Sequence, residues 1–157
     1  MSLISRKANY GLRAVFRLAQ KAKAGEGATI AWLAKTESLP RKYLEQVVRD
    51  LGQANLIDCK PGPQGGCRLA RPAEQITVGD VVRALDGEIQ PGHCLGEDAK
   101  EQEAGCPGCW GLASCAMREV WKNLQDAINQ TLDATTIADL LERQAEITVG
   151  QPINYMI

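Results

Sequence analysis

From Ser5 to Lys23 the apolar positions Tyr10, Ala14, Val15, Leu18 and Ala22 recur at spacings of three and four. That is the period of a helix with one buried stripe. The stretch Ala24-Gly25-Glu26-Gly27 ends it, and Thr29 to Lys35 reads as a short second helix with Thr29 as N-cap. A third helix is predicted over Arg41–Gln53, with Leu44, Val47, Val48 and Leu51 inward, Pro40 in its first turn and Ser38 or Leu39 as the cap region. Residues 56–60 and 67–70 read as strands around the Gly/Pro turn 61–66, a β-hairpin. Ile76 to Leu85 reads as a further helix, with Thr77 as N-cap, Asp80 completing a capping box and Gly87 as its stop. Residues 86–114 show little periodicity. Helical spacing returns in Val120, Trp121, Leu124, Ile128 and Leu132 over residues 116–134, and Thr136–Gln144 reads as a last short helix.

Three helices followed by a basic hairpin describe a winged helix-turn-helix. The predicted fold is therefore mainly α with a small β-hairpin wing and a long C-terminal helix. Its parts are a DNA-binding domain over residues 1–85, a cysteine-rich loop over 86–115, a dimerisation helix region over 116–145 and a tail over 146–157. The apolar stripe of the long helix is too large for a domain of about 85 residues to cover, so a second copy of the chain is expected to cover it.

Charge sharpens this division. The net charge of −1 hides thirteen Lys/Arg against five Asp/Glu in residues 1–71 and five against fourteen in residues 72–157, or +8 and −9. Such a split points to nucleic-acid contact by the basic part. Arg41, Lys42, Tyr43 and Arg49 of the third helix, with Arg6 and Lys7 of the first, are the candidates for phosphate contact. Lys60, Gln64, Gly65 and Arg68 of the wing would reach phosphates or the adjacent minor groove. No stretch approaches the roughly 20 apolar residues of a membrane span. The N-terminus lacks an apolar core followed by a small-residue cleavage site, so the cytoplasm is the expected compartment.

Six cysteines in a reducing compartment point to metal ligands or redox thiols. Cys94, Cys106, Cys109 and Cys115 fall in the irregular loop at spacings C-x11-C-x2-C-x5-C. Clustered thiolates suit a soft metal centre, an iron–sulfur cluster of two-iron or four-iron type or, alternatively, zinc. His93 directly precedes Cys94 and is a further candidate, although adjacent residues rarely both reach one metal. Cys59 and Cys67, on opposite strands of the hairpin, read first as small hydrophobes on a half-buried strand. A disulfide between them, acting as a redox switch in the wing, is the alternative.

Residues 3–14 (LISRKANYGLRA), 39–47 (LPRKYLEQV), 62–72 (GPQGGCRLARP) and 76–81 (ITVGDV), with Cys109 to Cys115, Arg118, Val120-Trp121 and residues 136–140, resemble the Rrf-two family of winged-helix bacterial transcriptional regulators, in its iron–sulfur cluster-binding form. The resemblance covers about nine tenths of the chain. It implies a homodimer joined through the long helix, a palindromic double-stranded DNA operator, and a cluster held by Cys94, Cys109 and Cys115, with Cys106 additional to the trio, either in place of Cys109 or as a fourth ligand. It also implies base reading by Glu45 and Gln46, a chemistry suited to cytosine and adenine respectively. The chain departs from the family in three places. Arg118 stands where a ligand histidine occurs; the start of the first helix offers Ser5, Arg6, Lys7 and Asn9 but no acid; and the wing has Pro61-Gly62 where the family commonly has Arg-Gly, and Cys67 where it has Tyr.

The expected function is that of a non-enzymatic, sequence-specific regulator, a repressor, whose operator binding follows the state of an iron–sulfur cluster sensing redox, nitric oxide or iron–sulfur status. One alternative is a cluster-free regulator with structural zinc or a thiol switch. Another, less favoured, is a thiol–disulfide oxidoreductase built on Cys106-Pro107-Gly108-Cys109, for which no βαβ context is found.

Overall fold

Ser5 starts the first helix by accepting, on its Oγ, the N–H of Ala8 that the helix itself leaves unpaired. In the computed structural model, which describes residues 3–60, 62, 65–96 and 115–150, α1 (Arg6–Lys23) buries Ala8, Gly11, Ala14, Val15, Leu18 and Ala19. α2 (Ile30–Thr36) begins after Thr29, whose Oγ1 accepts from Trp32 N–H at 3.1 Å, as its sequence predicts. α3 (Arg41–Gln53) turns Leu44, Val47, Val48 and Leu51 to the core. Its bounds are those predicted and only the cap differs, because Pro40 rather than Ser38 or Leu39 is the cap residue, and it forms no side-chain cap bond. Ser38 lies in the turn before it with φ of 54°, a left-handed conformation and not that of a cap.

β1 (Ile57–Lys60) and β2 (Gly66–Leu69) form the antiparallel hairpin, with Ile57 opposite Leu69 and Cys59 opposite Cys67. β2 is also tied to the segment before α2, since Ala28 N–H donates to Cys67 O at 3.1 Å and Cys67 N–H to Ala28 O at 2.7 Å. Cys59 and Cys67 are joined in a disulfide, with α-carbons 4.0 Å apart. This replaces the reading of two separate small hydrophobes: directly opposed residues on paired strands bring their sulfurs within bonding reach.

α4 (Val78–Asp86) carries the predicted capping box, with Asp80 N–H on Thr77 Oγ1 at 3.0 Å and Thr77 N–H on Asp80 Oδ2 at 3.1 Å. It ends at Gly87, whose φ of 77° suits a residue without a side chain. Ala8, Leu18, Leu44, Val47, Leu51, Val81 and Ile137 belong to one core cluster. α5 (Ala116–Asp133) contributes no fully buried residue; Ile128 and Leu132 pack partly against that core. α6 (Ile137–Gly150) returns along α1 and buries Ile137 and Leu141. It runs through Gly150 rather than stopping at Gln144, and so takes in the first residues assigned to the tail.

Candidate nucleic-acid interface and cysteine centre

Because α3 buries Leu44, Val47, Val48 and Leu51, its other face carries Arg41, Lys42, Gln46 and Arg49 at the surface, with Glu45 half-buried. Several of these side chains satisfy one another. Arg41 Nε lies 2.9 Å from Glu45 Oε1, Arg49 Nη1 donates to Gln46 Oε1 at 3.1 Å, and Gln46 Nε2 donates to Asp50 Oδ1 at 2.8 Å. Lys7 of α1 closes the chain on Asp50 Oδ2 at 2.6 Å. Its ammonium beside Asp50 holds that carboxyl below its ordinary range. Exposed pairs such as Arg41–Glu45 contribute about 0.3–0.5 kcal/mol, so a phosphate or base edge can displace them at little cost. Tyr43 is half-buried, edge-on to Tyr10 with ring centroids 6.1 Å apart, and so braces α3 against α1.

On the hairpin, Lys60 and Arg68 are exposed and Gly65 is half-buried; Gln64 lies outside the described residues. Arg41 and Lys60 line one cleft between the start of α3 and the wing. Arg6, Lys42, Lys60 and Arg68 have no ion-pair partner among the described residues. The remaining cations divide differently. Arg13 and Arg17 of α1 both bind Glu37, the buried acid that follows α2, Arg17 Nε at 2.8 Å. Lys21 pairs with Glu26 at 2.5 Å. Nothing in the hydrophobic pattern singles out Glu37, and the only local signal for it is the i, i+4 spacing of two arginines on the face of α1 that receives it.

The cysteine centre is built on α5. Cys115 is the N-cap residue of that helix, and Cys94 lies in the short helical turn His93–Leu95. Three α5 residues at i, i+3 and i+7 lay the segment from Ile89 to Cys94 along the helix in the opposite direction. Gln125 Nε2 donates to Ile89 O at 2.7 Å. Trp121 covers Gly92, where an added Cβ would lie 2.9 Å from the indole Cδ1. Arg118 Nε donates to Cys94 O at 3.1 Å. Cys94 is thereby carried toward the first turn of α5. Both thiols are free and half-buried. Arg118 is committed to the Cys94 backbone, and a guanidinium carries donors but no acceptor, so it supplies no ligand in the position of the family's histidine. Cys106 and Cys109 lie outside the described residues, as does the side chain of His93, and no group of three ligating side chains occurs among the described ones. The two thiols that are described suit a soft, thiolate-bound group.

The family model of Rrf2, an iron-dependent transcriptional regulator, matches residues 4–143. The HTH-type transcriptional regulator CymR of Bacillus subtilis (strain 168) is 37% identical over 154 residues, covering 98% of this chain and 96% of its own. The solved structure of CymR (YrzC), the global cysteine regulator of B. subtilis, superposes with a TM-score of 0.69 at 36% identity, covering 91% of this chain and 98% of that one. The T. potens IscR structure gives 0.71 at 29% identity, covering 98% and 94%. These relatives are regulators and not enzymes. The winged-helix architecture, the extent of the match and these identities agree: the chain belongs to the Rrf2 family of transcriptional regulators.

Proposed function

We propose that this regulator is a cytoplasmic repressor that binds a palindromic DNA operator as a homodimer, with occupancy governed by an iron–sulfur cluster. The observation that carries the DNA reading is the exposed face of α3, where Arg41, Lys42, Gln46 and Arg49 stand opposite the buried stripe. Lys42, Arg49 and Arg6 would take phosphates, as would Lys60 and Arg68 on the wing. Glu45 and Gln46 would exchange Arg41 and Asp50 for base edges. Lys7 and Tyr43, held by Asp50 and Tyr10, would contribute mainly by fixing α3 on α1.

Cys94, Cys109 and Cys115 would hold the cluster, with Cys106 as the fourth thiolate that Arg118 cannot replace. Bound there, the group would supply sensitivity to oxidants, nitric oxide or iron supply. The chain's own part is positional: Arg118, Trp121 and Gln125 keep the segment from Ile89 to Cys94 against α5, so ordering of the cysteine loop is transmitted to the dimer helix. A second, cluster-free reading, with zinc or a thiol switch, is favoured by the 37% identity to CymR, whose structure is named for a cysteine regulator. Anaerobic purification followed by iron, sulfide and zinc assays separates the two. Stoichiometric zinc without iron, or thiols without metal, defeats the cluster. Selection from random duplexes should return a palindrome, and Lys42→Ala should reduce the slope of log affinity against log salt by about 0.9 for each phosphate that Lys42 neutralises. Selection of no sequence would defeat the operator reading.

A further inference from the structure

We propose that Cys59 and Cys67 are a reversible thiol–disulfide switch in the wing, oxidised by low-molecular-weight disulfides and reset by low-molecular-weight thiols. The proposal rests on the DNA-binding reading above for its consequence, but not for its chemistry. The two cysteines face each other across the hairpin and are bonded. They differ sharply in access, since Cys59 is exposed and Cys67 is 1% exposed. A disulfide with an accessible sulfur, in a compartment that keeps thiols reduced, is the labile and regulatory kind rather than a permanent staple.

Access sets the order of events. The Cys59 thiolate attacks one sulfur of the small disulfide, giving a mixed disulfide and one small thiol. The Cys67 thiolate then attacks the Cys59 sulfur, closing the protein disulfide and expelling the second small thiol. The two cysteines lose two electrons and two protons, and both appear in the two small thiols. Resetting runs in reverse, with a small thiolate attacking the sulfur of Cys59, the exposed residue of the pair.

The bond lies where it can alter the DNA-facing surface. Cys59 directly precedes Lys60 and Cys67 directly precedes Arg68, so closure locks together two strands that each carry a cation with no ion-pair partner among the described residues. The pair lines a cleft of about 360 Å3 together with Lys60 and with Arg41 of α3. Cys67 is independently fastened through its backbone to Ala28, just before the cap of α2. Opening the bond therefore removes the covalent tie from the Cys59–Lys60 end of β1, which then rests on the strand ladder alone, while β2 stays anchored to Ala28. The oxidised wing is pre-ordered for phosphate contact, and the reduced wing must be ordered on binding.

The test uses the purified full chain equilibrated with dithiothreitol or with oxidised glutathione, alkylated and digested with trypsin. Lys60 is followed by Pro61, which trypsin does not cleave, so residues 50–68 leave as one peptide holding both cysteines. After oxidation this peptide should be two hydrogens lighter and unalkylated; after reduction it should carry two alkyl groups; and the two states should interconvert. A pair that stays reduced in oxidised glutathione, or that resists dithiothreitol in the folded protein, overturns the switch. In the DNA arm the oxidised form should bind duplex about three- to tenfold more tightly. Cys59→Ser, at an exposed position, should fix affinity at the reduced level in both conditions, any remaining redox effect then belonging to the other cysteines. Equal affinity of both wild-type states overturns the coupling. A chain that binds no duplex in either state overturns the DNA-binding reading and the coupling with it, while the peptide ratios still judge the exchange.

Discussion

Glu37 shows how one side chain can decide what its neighbours are free to do. Its carboxylate is buried at the end of α2 and is held by Arg13 and Arg17 from α1, so two of the thirteen cations in the basic half are spent on joining helices. A buried carboxylate is tolerable only when paired. Removing one partner of a fully buried pair costs about 3–5 kcal/mol. Here the arginine side chains are 52% and 37% exposed, so water recovers part of that loss. Glu37→Gln keeps the shape, removes the charge and leaves an amide that can accept from one arginine. It should destabilise the protein by about 1–3 kcal/mol in urea unfolding, the cost of an unsatisfied polar contact. An unchanged midpoint would mean that the two ion pairs contribute nothing net.

Between elements, the contact from Lys7 to Asp50 clamps α1 against α3. The bond from Lys7 holds the Asp50 carboxyl below its ordinary range. The folded protein therefore binds this proton more weakly than the unfolded chain, whose aspartates titrate near about 3.9. The clamp's contribution is complete above that value and disappears as the pH falls from it through the lower folded one. In urea titrations the stability gap between wild type and Asp50→Asn should be constant from pH 7 to about 5 and should close below about 4; a gap that persists at the lowest pH would rule this carboxylate out as its source. Elements whose start is marked by adjacent residues were legible in the sequence: Thr29 for α2, Thr77 with Asp80 for α4, and the spacing of Leu44, Val47, Val48 and Leu51 for α3. What was not legible depends on partners distant along the chain. Ser5 N–H donates to Asp86 Oδ2 at 2.8 Å across 81 positions, and the cradle of Cys94 needs Arg118 and Gln125 to meet a segment with no periodicity of its own. The hairpin disulfide was open as an alternative, because spacing gives a hairpin but only the register puts Cys59 opposite Cys67. Of the phosphate-contact candidates, Lys7 could be seen as bound to Asp50 only once α1 and α3 were packed together.

At the scale of the molecule, the question is how the acidic half could control the basic one. The turn between α5 and α6 is fastened to the start of α4: Val78 N–H donates to Thr135 O at 2.9 Å, Ile137 N–H donates to Ile76 O at 2.8 Å, and Arg83 binds Asp133. The C-terminal end of α5 is thus fixed to the winged helix, whereas its N-terminal half exposes Met117, Val120, Trp121 and Leu124, the i, i+3, i+4, i+7 stripe of a helix that packs on another. Val120 is 59% exposed and Leu124 43%, so glutamates at these positions meet water in the single chain but would be buried unpaired against a second copy. In the homodimer reading, Val120→Glu combined with Leu124→Glu should give a chain with unchanged far-ultraviolet circular dichroism that sediments as a monomer. Linking two half-site contacts raises affinity by about 10²- to 10⁴-fold, and the variant should lose binding to the palindrome by a factor in that range. Its affinity for an isolated half-site should match that of the wild type, because the α3 face and the wing are untouched. A variant that remains dimeric, or a monomer that holds the full palindrome as tightly as the wild type, would remove α5 from the assembly. The proposed sensing role of Cys94 and Cys115 would then need a route that does not pass through α5.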